Sequence, residues 1–579
     1  MAQAALQDGE NESRITFAFA VSVGAIMLSV PVSYAAVLIL LIQNSAPAPA
    51  KPSGKVPAPC TVSGRVVTAA EGAPLKSSRV ALMLEHESRE PQVYAAVSDS
   101  DGGFTIKDVP AGRYHFIATH TGYVDQEYQS NGGETGAILA LQAGQDVNDV
   151  IFRLTLAAVI TGRVSDEDGE PMGLVKIVAL SRPSEEETED RDNFSARQPE
   201  LRPATMAQTD DRGQYRLFGL KPGEYYIQAA DEYEPPQMDF GHDWEIRRSL
   251  GSQFAPAYYP GVTQIGQAEA VTVTPGEEAQ ADFIMRHIRT VQVAGHVIGA
   301  DGKPATDAFL YLEELPAADF GTFEGIETDA KGDFKIKGVA PGSYLLHAQQ
   351  HTSEEPSYHA SQKIEVGSDN IDSIVLALGR GVSFAGRVEA TGAGRVPFDR
   401  LFISMSSHDD ETGGAWARVK KDGTFEMLDV PDGSFAFSIN GLEEGWYIKA
   451  VRLGGADILT KGLEVEKGES GGTIEVVLSK GGAQLEGSVK QDDKPMVGVR
   501  VRITPDPETP YNRLRSRSTS TDQGGHFSFI GIAPGHYRAI AKTTGPAGAN
   551  RSASAPQIIN VSEHEHKTIE LTVAPPQTQ

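Results

Sequence analysis

GGFTIKDVPAGRYHF, residues 102–116, is the stretch whose reading decides the fold. Phe104 is followed eight residues later by Gly112 and two residues after that by Tyr114, and Gly102 stands two residues before it. The same spacing returns with Gly213, Tyr215, Gly223 and Tyr225, then with Gly332, Phe334, Gly342 and Tyr344. It returns again with Gly423, Phe425, Gly433 and Phe435, and with Gly525, Phe527, Gly535 and Tyr537. Self-similarity at a fixed spacing marks a repeat array. One small module copied five times is therefore expected.

The aligned positions give the secondary structure. Two residues after the first aromatic stand Ile106, Leu217, Ile336, Met427 and Phe529; five after it stand Val109, Leu220, Val339, Val430 and Ile532. A proline follows each time, at Pro110, Pro222, Pro341, Pro431 and Pro534. Beyond the turn, Phe116, Ile227, Leu346, Phe437 and Ala539 follow the second aromatic by two residues. Alternation with period two on either side of a Pro-Gly turn predicts two short strands in a hairpin. A preceding hairpin should turn at the first glycine, where a positive φ suits a residue without Cβ. In the strand before it, Ala96, Ala207, Ile326, Ala417 and Thr519 should face inward, and Val97, Gln208, Glu327, Arg418 and Ser520 outward. Each module opens on a strand around a glycine: VSGRVV at Gly64, ITGRVS at Gly162, VAGHVI at Gly295, FAGRVE at Gly386 and LEGSVK at Gly487. A pair of apolar strands closes it. About seven short strands per module read as a β-sandwich.

Composition agrees. The 579 residues exceed what one core accommodates, and 60 glycines with 34 prolines suit a chain dense in turns. A net charge of −27 excludes broad nucleic-acid binding, which needs a basic face. The one cysteine, Cys60, excludes an intrachain disulfide and a thiolate zinc cluster. It reads as an unpaired thiol at a linker–domain junction, with cross-linking of two chains as the alternative.

Residues 15–43 carry no charge, and about 20 apolar residues suffice to span a bilayer. A retained transmembrane helix or uncleaved signal anchor is expected there, with a signal cleaved near Ser33-Tyr34-Ala35 as the alternative. Residues 1–14 form a short tail, and the Pro/Ala-rich residues 44–59 a semi-rigid linker. The β-sandwiches are expected at 60–157, 158–290 (with long insertions), 291–381, 382–482 and 483–574, with a tail at 575–579.

The recurring string GRV…G.P……V…..T.D..G.F.I.GV.PG.Y.L.A…GY resembles the carboxypeptidase regulatory-like domain, a transthyretin-like (prealbumin-like) β-sandwich with an Ig-like layout. FAPAYYPGVTQIGQAEAVTV (254–273) and YIKAVRLGGADILTKGLEVEKG (447–468) are similar to segments of multi-copy proteins of this kind in bacterial envelopes. The resemblance implies an all-β tandem array of five sandwiches behind the N-terminal helix. It also implies an accessory role without an activity of its own, since fold does not transfer function.

The candidate chemistry is sparse. His242 with Glu245, and His351 with Glu354, repeat a zinc-peptidase spacing, but no chain is left to hold a catalytic domain. His564 and His566 flank Glu565 on an expected turn or strand edge. Gly468-Glu469-Ser470-Gly471-Gly472 copies a nucleophile-elbow string, yet it joins two strands where an elbow needs a strand and a helix. Asp99, Asp210, Asp329 and Asp522 recur at a turn, and Asp166, Glu167 and Asp168 form another acidic group. Calcium is the cation such loops take, but Lys420 occupies the fourth copy and Asp is a default turn residue. No cofactor, metal ligand set or catalytic residue is therefore assigned. Arg500, Arg502, Arg513, Arg515 and Arg517 read as a solvated outer face, with an anionic-ligand stripe as the alternative.

Glycan binding is the strongest functional option, because sugar rings stack on exposed aromatic faces. Trp416 should point outward, and Trp244, Tyr258 and Tyr259 lie in the long excursion of the second module, 231–261. Trp446 precedes an apolar strand and should be core. The expected function is a non-enzymatic, membrane-anchored protein in the periplasm or on the cell surface. It would display its modules for adhesion, scaffolding or carbohydrate binding, with a polysaccharide or envelope protein as partner and no nucleic acid. The alternatives are an accessory module of an envelope peptidase or transport system, or a hydrolase with an unrecognised site. Limited proteolysis of the full chain should nick first within Ser184–Asp192 and Ser45–Pro59; early cuts between an aromatic and its following glycine would contradict the module reading.

Overall fold

The computed structural model describes residues 58–575 except 86–91, 131–134, 184–200, 231–253, 316–324, 351–357, 408–413, 467–470, 544–551 and the single positions 255, 264, 288, 393 and 444. These residues are β-strands and turns, with three short 3₁₀ turns at Ile265–Gln267, Phe398–Arg400 and Arg513–Arg515. Their buried apolar side chains gather into five separate cores. The architecture is all-β and built of several sandwiches.

The first sandwich shows the plan. Its opening strand, Cys60–Thr68, lies between Gly103–Val109, with which it is antiparallel, and the closing strand Asp146–Leu154, with which it is parallel. The facing sheet runs Val93–Val97, Arg79–Leu84, Gly112–Thr119, with Gln126–Glu127 and Leu139–Leu141 beyond. In the other four, Ala158–Ser165, Val291–Ile298, Val382–Thr391 and Ala483–Gln491 take the opening place. Each is antiparallel to the strand carrying the first aromatic and parallel to a closing segment.

One expectation is corrected here. The strands on either side of the Pro-Gly turn do not pair with each other: Gly103–Val109 bonds to the opening strand, whereas Gly112–Thr119 bonds to Arg79–Leu84. The turn is an arch that carries the chain from one sheet to the other. The turn at the first glycine does the same, because Val93–Val97 belongs to the second sheet. Alternating side chains mark the inward face of both sheets equally, so periodicity could not separate an arch from a hairpin.

The glycines and aromatics of the repeat have one joint cause. Gly64 lies opposite Phe104, Gly162 opposite Tyr215, Gly295 opposite Phe334, Gly386 opposite Phe425 and Gly487 opposite Phe527. A Cβ on any of these glycines would collide with the ring across from it. On Gly64, Gly162, Gly295 and Gly487 it would also strike a carbonyl of the closing strand. The aromatic lies flat over the bare backbone and fills the space a side chain would take. The glycine two residues before it has positive φ in all five copies, between 72° and 85°.

The second aromatic is anchored by its hydroxyl. Tyr114, Tyr225, Tyr344 and Tyr537 donate to the carbonyls of Pro110, Lys221, Ala340 and Ala533, each four residues upstream, at 2.8–3.0 Å. The arrangement is like the tyrosine corner of Ig sandwiches. Burial pushes the Tyr114 hydroxyl up to about 12, so it stays a donor. The turn acids have a structural task as well. Asp329 Oδ1 accepts from the backbone N–H of Lys331 and Asp333 at 2.8 and 2.9 Å, and Asp99, Asp210 and Asp522 repeat this.

The expected membrane-spanning helix is withdrawn from the fold class. Among the described residues no helix is long and apolar enough to cross a membrane, and residues 15–43 lie outside the described residues. With it go the membrane as a partner and the membrane-anchored form of the function.

Two outcomes test the packing account. Tyr344→Phe should cost about 1 kcal/mol, the net worth of one hydrogen bond, whereas Gly295→Ala should cost about 1–3 kcal/mol as an overpacked site; denaturant midpoints of the full chain read both. The N–H groups of Asp333 and Lys331 hold the Asp329 carboxyl below its ordinary range. Its contribution is therefore complete above the ordinary aspartate value and lost as pH falls through the depressed one, so Asp329→Ala should blunt acid destabilisation of the third sandwich, measured by acid unfolding.

Candidate functional site

The fourth sandwich departs from the other four at three polar positions. Ser98, Thr209, Thr328 and Thr521 are buried in the others, each donating its hydroxyl to a backbone carbonyl at 2.6–2.7 Å. Val419 takes that place in the fourth, Lys420 replaces the turn aspartate, and Phe435 replaces the anchored tyrosine. Its second sheet runs Gly414–Arg418, Phe402–Ser407, Gly433–Asn440, Leu463–Val465.

The edge strand Gly414–Arg418 buries Ala415 and Ala417 and turns Gly414, Trp416 and Arg418 outward. Trp416 is 72% exposed, the most exposed of the large apolar side chains among the described residues. Cross-strand register sets Ser404 beside Trp416 and Ser438 beside Ser404. The two serine hydroxyls are 2.6 Å apart. In the neighbouring row stand Arg418, Phe402 and Asn440. The Arg418 guanidinium lies 5.5 Å from the Phe402 ring centre and donates to the Asp399 carbonyl at 3.2 and 3.3 Å. The result is an outer sheet face with one exposed indole, a hydroxyl pair beside it and a guanidinium held by a backbone carbonyl. Such a surface offers an apolar plane for the C–H face of a pyranose and polar groups for its hydroxyls.

The other expected aromatics are placed differently. Tyr258 ends the short strand Ala257–Tyr258, half-buried, and its hydroxyl accepts from Gln228 Nε2 at 3.2 Å. Tyr259 is half-buried against the second core, edge-on to Phe283 at 6.1 Å. Trp244 lies outside the described residues. Trp446 is 6% exposed in the fourth core, as its sequence context implied. Tyr258 and Tyr259 thus serve the second sandwich, and the structure does not bring them together with Trp416.

At the alignment position of Trp416 the other copies carry Ala95, Met206, Gly325 and Ser518. The aromatic face is therefore a property of one sandwich. The Ser404–Ser438 pair escaped sequence reading because it depends on the register of two strands thirty-odd residues apart. The SMS alternation at 404–406 was the one signal for an outward serine row.

The remaining candidates dissolve into structure. Among the described residues no three His, Cys, Asp or Glu side chains are grouped to hold a metal. The turn aspartates spend one carboxylate oxygen on their own backbone. His566 faces Glu486 at 3.4 Å on an exposed strand. His242, Glu245, His351, Glu354 and Gly468–Ser470 lie outside the described residues. Cys60 is buried and donates to the Gln142 carbonyl at 2.9 Å, which removes it from cross-linking. The arginines of the fifth sandwich disperse: Arg500 is buried, Arg513 pairs with Glu508 at 2.9 Å, and Arg515 donates to the Pro534 carbonyl. A depression of about 540 Å³ in the first sandwich is bounded by Arg65, Asp99 and Asp149, with exposed Val97 and Ile151; its Ser63 hydroxyl donates to Asn148 Oδ1 at 2.8 Å.

Residues 61–155 match the carboxypeptidase regulatory-like domain family, which is the first sandwich. No curated protein matches the chain. Among solved structures, a Bacillus anthracis TIE protein is 11% identical, covering 72% of each chain, with a TM-score of 0.16. A streptococcal ancillary pilin is 13% identical over 55% of this chain and 98% of its own, with a TM-score of 0.20. GBS52, the minor pilin of Streptococcus agalactiae, is 15% identical over 42% of this chain and 99% of its own, with a TM-score of 0.18. At these scores whole chains do not superpose, and no property passes from those proteins to this one. What the comparisons identify is a carboxypeptidase regulatory-like sandwich at 61–155.

Proposed function

We propose that this chain is a non-catalytic scaffold of the bacterial cell surface or periplasm whose fourth sandwich carries a weak glycan-binding face. Its modules are the segments 60–157, 158–290, 291–381, 382–482 and 483–574. The observation that carries the reading is Trp416, exposed on a sheet beside the Ser404–Ser438 hydroxyl pair. An indole exposed on a strand beside a hydroxyl pair offers an apolar ring face for a sugar and polar groups for its hydroxyls. The fourth copy also lacks the buried hydroxyl, turn aspartate and anchored tyrosine that the other four share, as a copy with a separate task would. With one such face per chain, avidity comes from several chains on one polysaccharide surface rather than from several sites in one chain.

A polysaccharide array probed with the full chain tests this. Trp416→Ala should weaken binding about tenfold, the worth of one aromatic stacking contact. Ser404→Ala should have a smaller effect, and Tyr258→Ala none. Failure to bind any polysaccharide, or equal loss with Tyr258→Ala, sinks the glycan reading and leaves the scaffold with a protein partner.

A further inference from the structure

The alternation of exposed and buried residues before the first aromatic fails at one place. Val97, Gln208, Glu327 and Arg418 are exposed, but Ser520 in the fifth sandwich is 1% exposed. What covers it is the first sandwich. Arg113, on the strand Gly112–Thr119, reaches Glu85 with Nε at 2.5 Å and Asp522 of the fifth sandwich with Nη1 at 3.4 Å. Glu85 also accepts the hydroxyl of Thr519. The Gln523 amide grips the backbone of Ala140, accepting its N–H at 3.0 Å and donating to its carbonyl at 2.7 Å. Ile138 forms a parallel bridge with Asp522 and is fully buried, yet it belongs to neither sandwich's core.

The contact caps a sheet edge. Leu139–Leu141 pairs on one side within its own sheet. Unpaired edges offer ready templates for other chains, and here Asp522 and Gln523 of the fifth sandwich lie along it. Asp522 serves twice: Oδ1 holds its own turn through the N–H of Gly524 and His526, while Oδ2 faces Arg113. The contact is polar and close to balance. Arg113 Nη2 and Ser520 Oγ are buried in it without a hydrogen-bond partner, and each such group costs about 1–3 kcal/mol. Its ion pairs are largely buried, with side-chain exposures of 21% for Arg113, 7% for Glu85 and 11% for Asp522, so salt screens them only weakly.

We propose that this contact is an intramolecular latch: the fifth sandwich of the same chain is the docking partner of the first, and closing it folds the five-sandwich chain back on itself. The latch has two states. Closed, it covers Ile138 and the 139–141 edge. Open, it releases the chain to extend and bares that edge. Loss of Arg113 favours the open state. The covalent link between the two sandwiches supplies a high effective concentration for the closed one, so one chain satisfies its own latch before it meets another.

Hydrogen exchange and small-angle scattering of the full chain test this together. In the closed chain the Ala140 N–H is protected by Gln523 alone, so Gln523→Ala should speed its exchange about tenfold, the loss of one hydrogen bond. Arg113→Ala with Gln523→Ala should raise the radius of gyration, with circular dichroism and the melting of the sheets unchanged. Ser518→Ala, away from the Gln523 grip, should leave Ala140 protected. An unprotected Ala140 in the wild type, or a wild-type radius of gyration no smaller than that of the double variant, overturns the latch. So does protection of Ala140 that rises with protein concentration, because the contact would then join separate chains.

Discussion

An aromatic ring laid across a glycine on the neighbouring strand organises every sandwich in this chain. The glycine must lack a side chain because the ring, and in four of the five copies a carbonyl of the closing segment as well, occupies the space its Cβ would need. The ring must be large because it covers that bare backbone and also fills the gap between two sheets. From this pair the rest follows. The aromatic strand is fixed to the opening strand, the arch behind it must cross to the other sheet, and the second aromatic lands beneath that arch with its hydroxyl on the arch's own carbonyl. In a chain so rich in glycine, this is where the loss of backbone entropy on folding is compensated by packing.

The repeat also shows what can vary once that pair is kept. The fourth copy retains Gly386 and Phe425 but gives up the buried hydroxyl, the turn carboxylate and the tyrosine anchor. Apolar contacts substitute, with Val419 and Phe435 both buried. Freed of those polar constraints, its outer sheet face carries Trp416, a residue that contributes nothing to the core beneath it. Stability and surface chemistry are thus separated by the alternation of the strand: Ala415 and Ala417 pack, and the tryptophan between them faces solvent.

The inward residues were legible in the sequence because burial imposes period two: the aligned apolar positions around both aromatics are buried, and Ala96, Ala207 and Ile326 of the preceding strand pack half-buried against their cores. Sheet membership was not legible. An arch and a hairpin bury the same side chains, and only hydrogen-bond partners distinguish them. Trp416 could be placed on an outer face from its offset, but the serine pair beside it needed register. The contact between the first and fifth sandwiches left a faint trace in a serine where the other copies have larger side chains. A serine is also what a solvated strand would carry, so its burial could be learned only from the fold. The uncharged run at 15–43 invited a membrane helix that has no counterpart among the described residues.

The parallel pairing of opening and closing strands has a mechanical meaning. Each unit is entered and left through two adjacent strands that point the same way, so the chain leaves at the end opposite to where it entered. A pull on the two ends then loads the bonds between those strands in shear, all at once, instead of unzipping them one by one. The connectivity that orders the core also sets the direction in which each unit best resists force.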